Sequence, residues 1–287
     1  MAAFVTVSSV VFRGDVAMSM WKAIRGRLIG QPPMKGQETE RPTDPREVQA
    51  ERCIHEGLEL LEEGRVEEAL AVFHRAVQAG PQSARAHYAR GLAYYTRGDY
   101  HWAIADLTQA LRLNPQMGEA YCTRGLACAA KGDYDWAISD LTEALKRNPN
   151  LAEAYNGRGV AYTGKKLYDA AIADFTQAIR LNPNDANVYF NRGFAYGLKG
   201  DFQRALADYT QAIRLNPQHY RAFNNRGTIY QALHDYQKAI ADFNEAIRLK
   251  PDLADAYNNR GVAFQSLGET DRANADFAMA HRLGFGR

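Results

Sequence analysis

The chain has 287 residues with 46% apolar and 24% charged side chains and a net charge of +2. These are the values of an ordinary folded protein, and they provide no global field to recruit nucleic acid or an anionic membrane. Three cysteines, Cys53, Cys122 and Cys128, with no CxxC pair, argue against a disulfide framework and fit a reducing, cytoplasmic compartment. No window approaches the roughly 18 uninterrupted apolar residues of a transmembrane helix.

Residues 1–49 read as an N-terminal extension of different material. Ala2–Phe12 is broken by Thr6, Ser8 and Ser9 and has no basic residue before it, which makes a poor secretory signal. Over 18–30, Met20, Ile24 and Leu28 share one helical face, with Lys22, Arg25 and Arg27 elsewhere and Trp21 nearby. This is compatible with a short basic amphipathic helix on an anionic membrane or a partner, with a targeting peptide, or with no stable structure, since one short helix is marginal alone. Met18, Met20 and Met34 are alternative starts. Residues 31–46 carry Pro32, Pro33, Pro42 and Pro45 among charges and read as a flexible linker.

From residue 50 the sequence repeats every 34 residues, in copies 50–83, 84–117, 118–151, 152–185, 186–219, 220–253 and 254–283, with a tail at 284–287. Gly57, Gly91, Gly125, Gly159, Gly193, Gly227 and Gly261 stand at position 8 of their copies. Alanine recurs at position 20, from Ala69 to Ala273, and at position 27, from Ala76 to Ala280. Small residues there let two helices approach, and large ones at positions 4, 11 and 24 (Tyr121, Cys128 and Leu141 in the third copy) fill the layer between them. Gly98 then Asp99 end one helix and cap the next. Asn-Pro at 114–115, 148–149, 182–183 and 216–217 stops each second helix, because the residue before proline is pushed out of the helical region. An all-α chain of seven helical hairpins follows.

Stretches such as Ala152–Tyr162 (AEAYNGRGVAY) and Ala171–Pro183 (AIADFTQAIRLNP) resemble the tetratricopeptide repeat family, and the resemblance covers residues 50–283. Lys166 and His234 depart from it, standing where the turn glycine is usual. The resemblance implies a right-handed superhelical solenoid of seven antiparallel helix-turn-helix repeats. It also implies a concave inner face lined mainly by each first helix, and a protein that holds another protein rather than an enzyme.

Comparison of the copies adds detail. Arg52 and Glu59 in the first copy, and Asn274 and His281 in the last, are polar where the other copies are apolar, so both ends are expected to be solvated caps of a complete array. Arginine at position 7 and aspartate at position 23 recur together: Arg90 with Asp106, Arg124 with Asp140, Arg158 with Asp174, Arg192 with Asp208, Arg226 with Asp242, and Arg260 with Asp276. They are expected as half-buried salt bridges within each hairpin.

On the first helix, positions 2, 5, 6, 9, 12 and 13 form one stripe at helical spacing. The expected groove residues on it are Tyr88, Leu92, Tyr95, Asn156, Phe190, Asn191, Phe194, Asn224, Asn225, Gln231, Asn258, Asn259 and Gln265, apolar early and amide-rich late. Cys122 shares this stripe and is expected to be accessible. Side-chain amides donate and accept, so they grip a peptide backbone without reading its side chains, and apolar groups anchor it. The position-6 asparagines Asn191, Asn225 and Asn259 resemble the ladder of the O-linked N-acetylglucosamine transferase family, which grips extended peptides. The competing reading is a merely solvated amide.

The family's carboxylate clamp needs lysine and arginine donors that no three consecutive copies supply, although Asn191 and Arg221 match single elements. Position 2 reads Glu51, Arg85, Glu119, Glu153, Asn187, Arg221, Asp255, mixed in sign, and the basic row Arg112, Lys146, Arg180, Arg214, Arg248, Arg282 complements helix C-termini. Nucleic acid is therefore not expected as a partner. Neither catalytic motif nor metal-ligand cluster is recognisable, so no cofactor or metal is expected. The function indicated is an interaction scaffold whose partner stays unidentified. The alternative is a membrane-associated assembly or secretion factor localised by residues 18–30.

Overall fold

The computed structural model describes residues 44–286. The expectations for 18–30, and for all but the end of the linker 31–46, lie outside the described residues. The described chain is helical: α1 (Pro45–Glu62), α2 (Val66–Ala79), α3 (Ala84–Arg97), α4 (Tyr100–Leu113), α5 (Gly118–Lys131), α6 (Tyr134–Arg147), α7 (Ala152–Gly164), α8 (Tyr168–Leu181), α9 (Ala186–Lys199), α10 (Phe202–Leu215), α11 (Tyr220–Ala232), α12 (Tyr236–Leu249), α13 (Ala254–Ser266) and α14 (Thr270–Arg282). Each of the seven repeats supplies two consecutive helices. The chain divides into two compact units, one ending at Lys166 and one beginning at Leu167. The first holds the hairpins α1/α2, α3/α4 and α5/α6, the second α9/α10, α11/α12 and α13/α14. The fourth repeat places α7 in one unit and α8 in the other.

The local rules account for these elements. α1 starts one turn before the first repeat: Asp44 caps it, its carboxylate accepting from Arg46 N at 2.8 Å, and Pro45 needs no partner in the first turn. Residues 45 and 46, at the end of the expected linker, are therefore helix. Gly98, Gly132 and Gly200 end first helices at φ 92°, 87° and 86°, where a side chain would clash with the following carbonyl. Lys166 and His234 hold the same left-handed conformation at φ 61° and 62° without that freedom. Asn114, Asn148, Asn182 and Asn216 close second helices in extended backbone. Asp99 does not cap α4 with its side chain but pairs with Arg97, whereas Asp201 and Asp235 do cap, accepting from Arg204 N and Lys238 N.

Within a hairpin, small and large residues one turn apart share the buried face of the second helix. Ala103 and Ala137 are buried beside Leu107 and Leu141 in the first unit, and Ala205 and Ala239 beside Tyr209 and Phe243 in the second. Gly125 has no room for a side chain, since a Cβ there would lie 2.7 Å from Leu141 Cγ. At the terminal repeats, Arg52, Glu59, Asn274 and His281 are all exposed.

Candidate functional site

The recurring arginines build the frame of the first-helix face. Arg90 pairs with Asp106, Arg124 with Asp140, Arg192 with Asp208, Arg226 with Asp242, and Arg260 with Asp276. In each pair the guanidinium donates Nε and Nη2 to the two carboxylate oxygens at 2.7–2.8 Å. This is the parallel fork that arginine forms and lysine cannot.

The expectation of half-buried bridges needs correcting at the carboxylate end. Asp106, Asp140, Asp208, Asp242 and Asp276 are fully buried, and only the arginines are half-buried. The reason is size: the short aspartate sits within the hairpin, while the long arginine stem carries its head out toward the surface. Burial lifts the Asp242 carboxyl above the usual range, with Arg226 pulling it the other way, which is the opposition expected of a buried pair. Arg158 and the buried Asp174, expected as the sixth pair, lie in different units.

The remaining Nη1 reaches back to the preceding repeat, a contact the sequence reading missed. Arg124, Arg158, Arg192 and Arg226 donate to Thr108, Thr142, Thr176 and Thr210 at 3.0–3.1 Å. Arg260 donates to Asn244 Oδ1 at 2.6 Å, and Arg90 lies 3.0 Å from His74 Nδ1. Each arginine thus ties two successive repeats. The available signal was position 25, which carries a hydrogen-bonding side chain in six copies and Ala278 in the last.

On the first-helix stripe the two units differ. In the first, Ile54, Leu58, Tyr88, Leu92, Tyr95, Cys122, Leu126 and Ala129 are all buried. Tyr88, Leu92 and Tyr95, expected as accessible anchors, and Cys122, expected to be accessible, are instead packing groups. Large side chains at positions 5, 9 and 12 fill the seam between consecutive first helices. Gly157 tightens it, because a Cβ there would fall 2.2 Å from Leu126 Cδ2. Burial pushes the Tyr88 and Tyr95 hydroxyls and the Cys122 thiol far up, and holds the Cys128 thiol at about 11, so neither thiol is a nucleophile at neutral pH. Asn156 is buried as well.

In the second unit, Phe190 is also a packing group, its ring 5.8 Å from that of Tyr209 and 4.9 Å from that of His219. Of the expected ladder, Asn191 and Asn259 are buried, and half-buried Asn225 reaches the buried Tyr209 hydroxyl. The amides bond to one another: across helices, Asn259 of α13 donates to Asn224 Oδ1 of α11, and within α11 Asn224 donates to Asn225 Oδ1, both at 3.3 Å. Phe194, Asn224, Asn225, Gln231 and Asn258 remain half-buried and Gln265 is exposed. Arg221 and Asp255, one turn earlier on α11 and α13, are half-buried too. This face of α9, α11 and α13 therefore offers paired donors and acceptors, an aromatic edge and two opposite charges. Among the described residues no group of three or more histidine, cysteine or carboxylate side chains is placed to hold a metal ion.

Comparison with known proteins agrees with the repeat architecture. Family models described as tetratricopeptide repeat match residues 55–117, 118–151, 152–185, 175–207 and 199–258. No curated protein sequence matches significantly. Among solved structures, a tetratricopeptide repeat protein from Parabacteroides merdae is similar at 20% identity over 84% of this chain and 95% of its own, with a TM-score of 0.64. MamA is similar at 29% identity over 55% of this chain and 93% of its own, with a TM-score of 0.52. YrrB, described as a TPR protein with an unusual peptide-binding site, is similar at 23% identity over 64% of this chain and 95% of its own, also with a TM-score of 0.52. With its period, its helix pairs and contiguous family matches over residues 55–258, the chain belongs to the tetratricopeptide repeat family.

Proposed function

We propose that the chain is a protein-interaction scaffold that holds an extended segment of a partner against the amide-lined face of α9, α11 and α13. The observation that carries this reading is the contrast between the units. The stripe that packing closes at positions 5, 9 and 12 of the first unit stays partly open in the second, with Asn224, Gln231, Asn258 and Gln265 accessible in part or whole. Side-chain amides match the donor and acceptor alternation of an extended backbone, and Phe194 gives an apolar edge. No helix of the described residues is long and apolar enough to cross a membrane.

Peptides selected on the intact protein from a random display library test the reading. Replacing Asn224, Asn258 and Gln265 together by alanine should weaken the selected peptides by about tenfold or more. Replacing Ser139, Gln203 and Gln237, exposed on second helices, should leave them unchanged. Equal loss in both variants, or loss only in the second, would reject the amide face as the site.

A further inference from the structure

Opposite charges stand at position 2 of successive repeats near both ends of the array. At position 2 of the first and second repeats, Arg85 and Glu51 close on each other at 2.8 Å. At position 2 of the sixth and seventh repeats stand Arg221 and Asp255, again 34 residues apart, yet neither is in an ion pair among the described residues. The Arg221 guanidinium lies over the ring of its neighbour Tyr220, 5.5 Å from the centroid. Asp255 is half-buried, and desolvation alone raises its carboxyl above the usual range. A partly desolvated carboxylate without a partner costs stability, which a bound cation offsets.

Both charges belong to the face already described. Arg221 precedes Asn224 and Asn225 by three and four residues, and Asp255 precedes Asn258 and Asn259 likewise, the spacings that share one helical side. Given that the amide face holds a peptide, we infer that Arg221 and Asp255 are its two poles. The held segment carries an acidic side chain against Arg221 and a basic one against Asp255, two residues apart on one side of an extended strand. The first helices α11 and α13 touch where Asn259 meets Asn224, and packed helices lie about 8–10 Å apart. Alternate residues of a strand lie about 7 Å apart, and a lysine or arginine stem spans the difference. The amides hold the backbone and the poles select its sequence and direction.

Three short capped peptides, alike but for a central Glu-Ala-Lys, Lys-Ala-Glu or Gln-Ala-Gln, test this by calorimetric titration of the full chain. The better charged order should bind roughly tenfold tighter than the neutral peptide. The charge-swapped protein, Arg221→Glu with Asp255→Lys, should make the other order the better one. If that variant unfolds, Arg221→Gln and Asp255→Asn serve instead, each reducing the charged peptide's advantage over the neutral one and the two together abolishing it. An unchanged ranking of the three peptides in the variants, or equal binding of all three, overturns the poles while leaving the amide face as a peptide site. Absence of binding by any of the three at millimolar concentration rejects the peptide reading itself.

Discussion

At Arg124 one guanidinium meets the Asp140 carboxylate with two donors and Thr108 with a third. Removing the arginine leaves a buried carboxylate, so Arg124→Ala should destabilise the chain by about 3 kcal/mol. Replacing both partners by apolar residues of similar volume, Arg124→Met with Asp140→Leu, should cost about 1 kcal/mol or less. Urea unfolding of the two variants checks this, and equal losses would mean that the charge pair is not the element at stake. His74 gives a second test at this scale. Partial desolvation of this largely exposed ring, and then Arg90 beside it, hold its imidazole below the ordinary 6.5, with Asp106 opposing. The unfolded chain therefore binds the extra proton in the window from that lowered value up to 6.5, and stability should fall as the pH drops through it. His74→Thr, the residue of four other repeats, should remove that increment, read as a flatter melting temperature against pH.

The helices and their ends were legible because each rule acts within one repeat. The 34-residue period, the alanines that let helices approach, the turn glycines and the Asn-Pro stops are all local, and the structure follows them. Lys166 and His234 show the rule by violating it. Both hold the left-handed conformation that glycine takes elsewhere. Lys166→Gly should therefore stabilise the chain, by about 0.5–1 kcal/mol once glycine's larger unfolded entropy is subtracted. An unchanged or lower urea midpoint would contradict this. Gly125→Ala should do the opposite of what helix propensity predicts. Alanine is about 1 kcal/mol better in a free helix, but the added methyl meets Leu141 Cγ at 2.7 Å, and overpacking should cost about 1–3 kcal/mol. Asp99 was misread because its capping role competes with Arg97, two residues away and equally able to take its carboxylate.

For the whole molecule, helical periodicity identified the stripe that could serve a partner but not what covers it. Cover depends on side-chain volume in the neighbouring repeat. Tyr88, Leu92 and Tyr95 close the seam of the first unit, whereas Asn224 and Asn258 at the same register are too short and polar to close that of the second. The inter-repeat arginine contacts escaped a reading made within one repeat, because their acceptors at position 25 stand in the preceding copy. We propose that this open amide face receives the partner. A benzophenone amino acid placed at Asn258, and separately at exposed Gln203 on a second helix, tests it by photo-cross-linking with the peptide selected on the intact protein. A cross-link is expected from Asn258 and none from Gln203; a cross-link from Gln203 alone would place the partner elsewhere and reject the amide face.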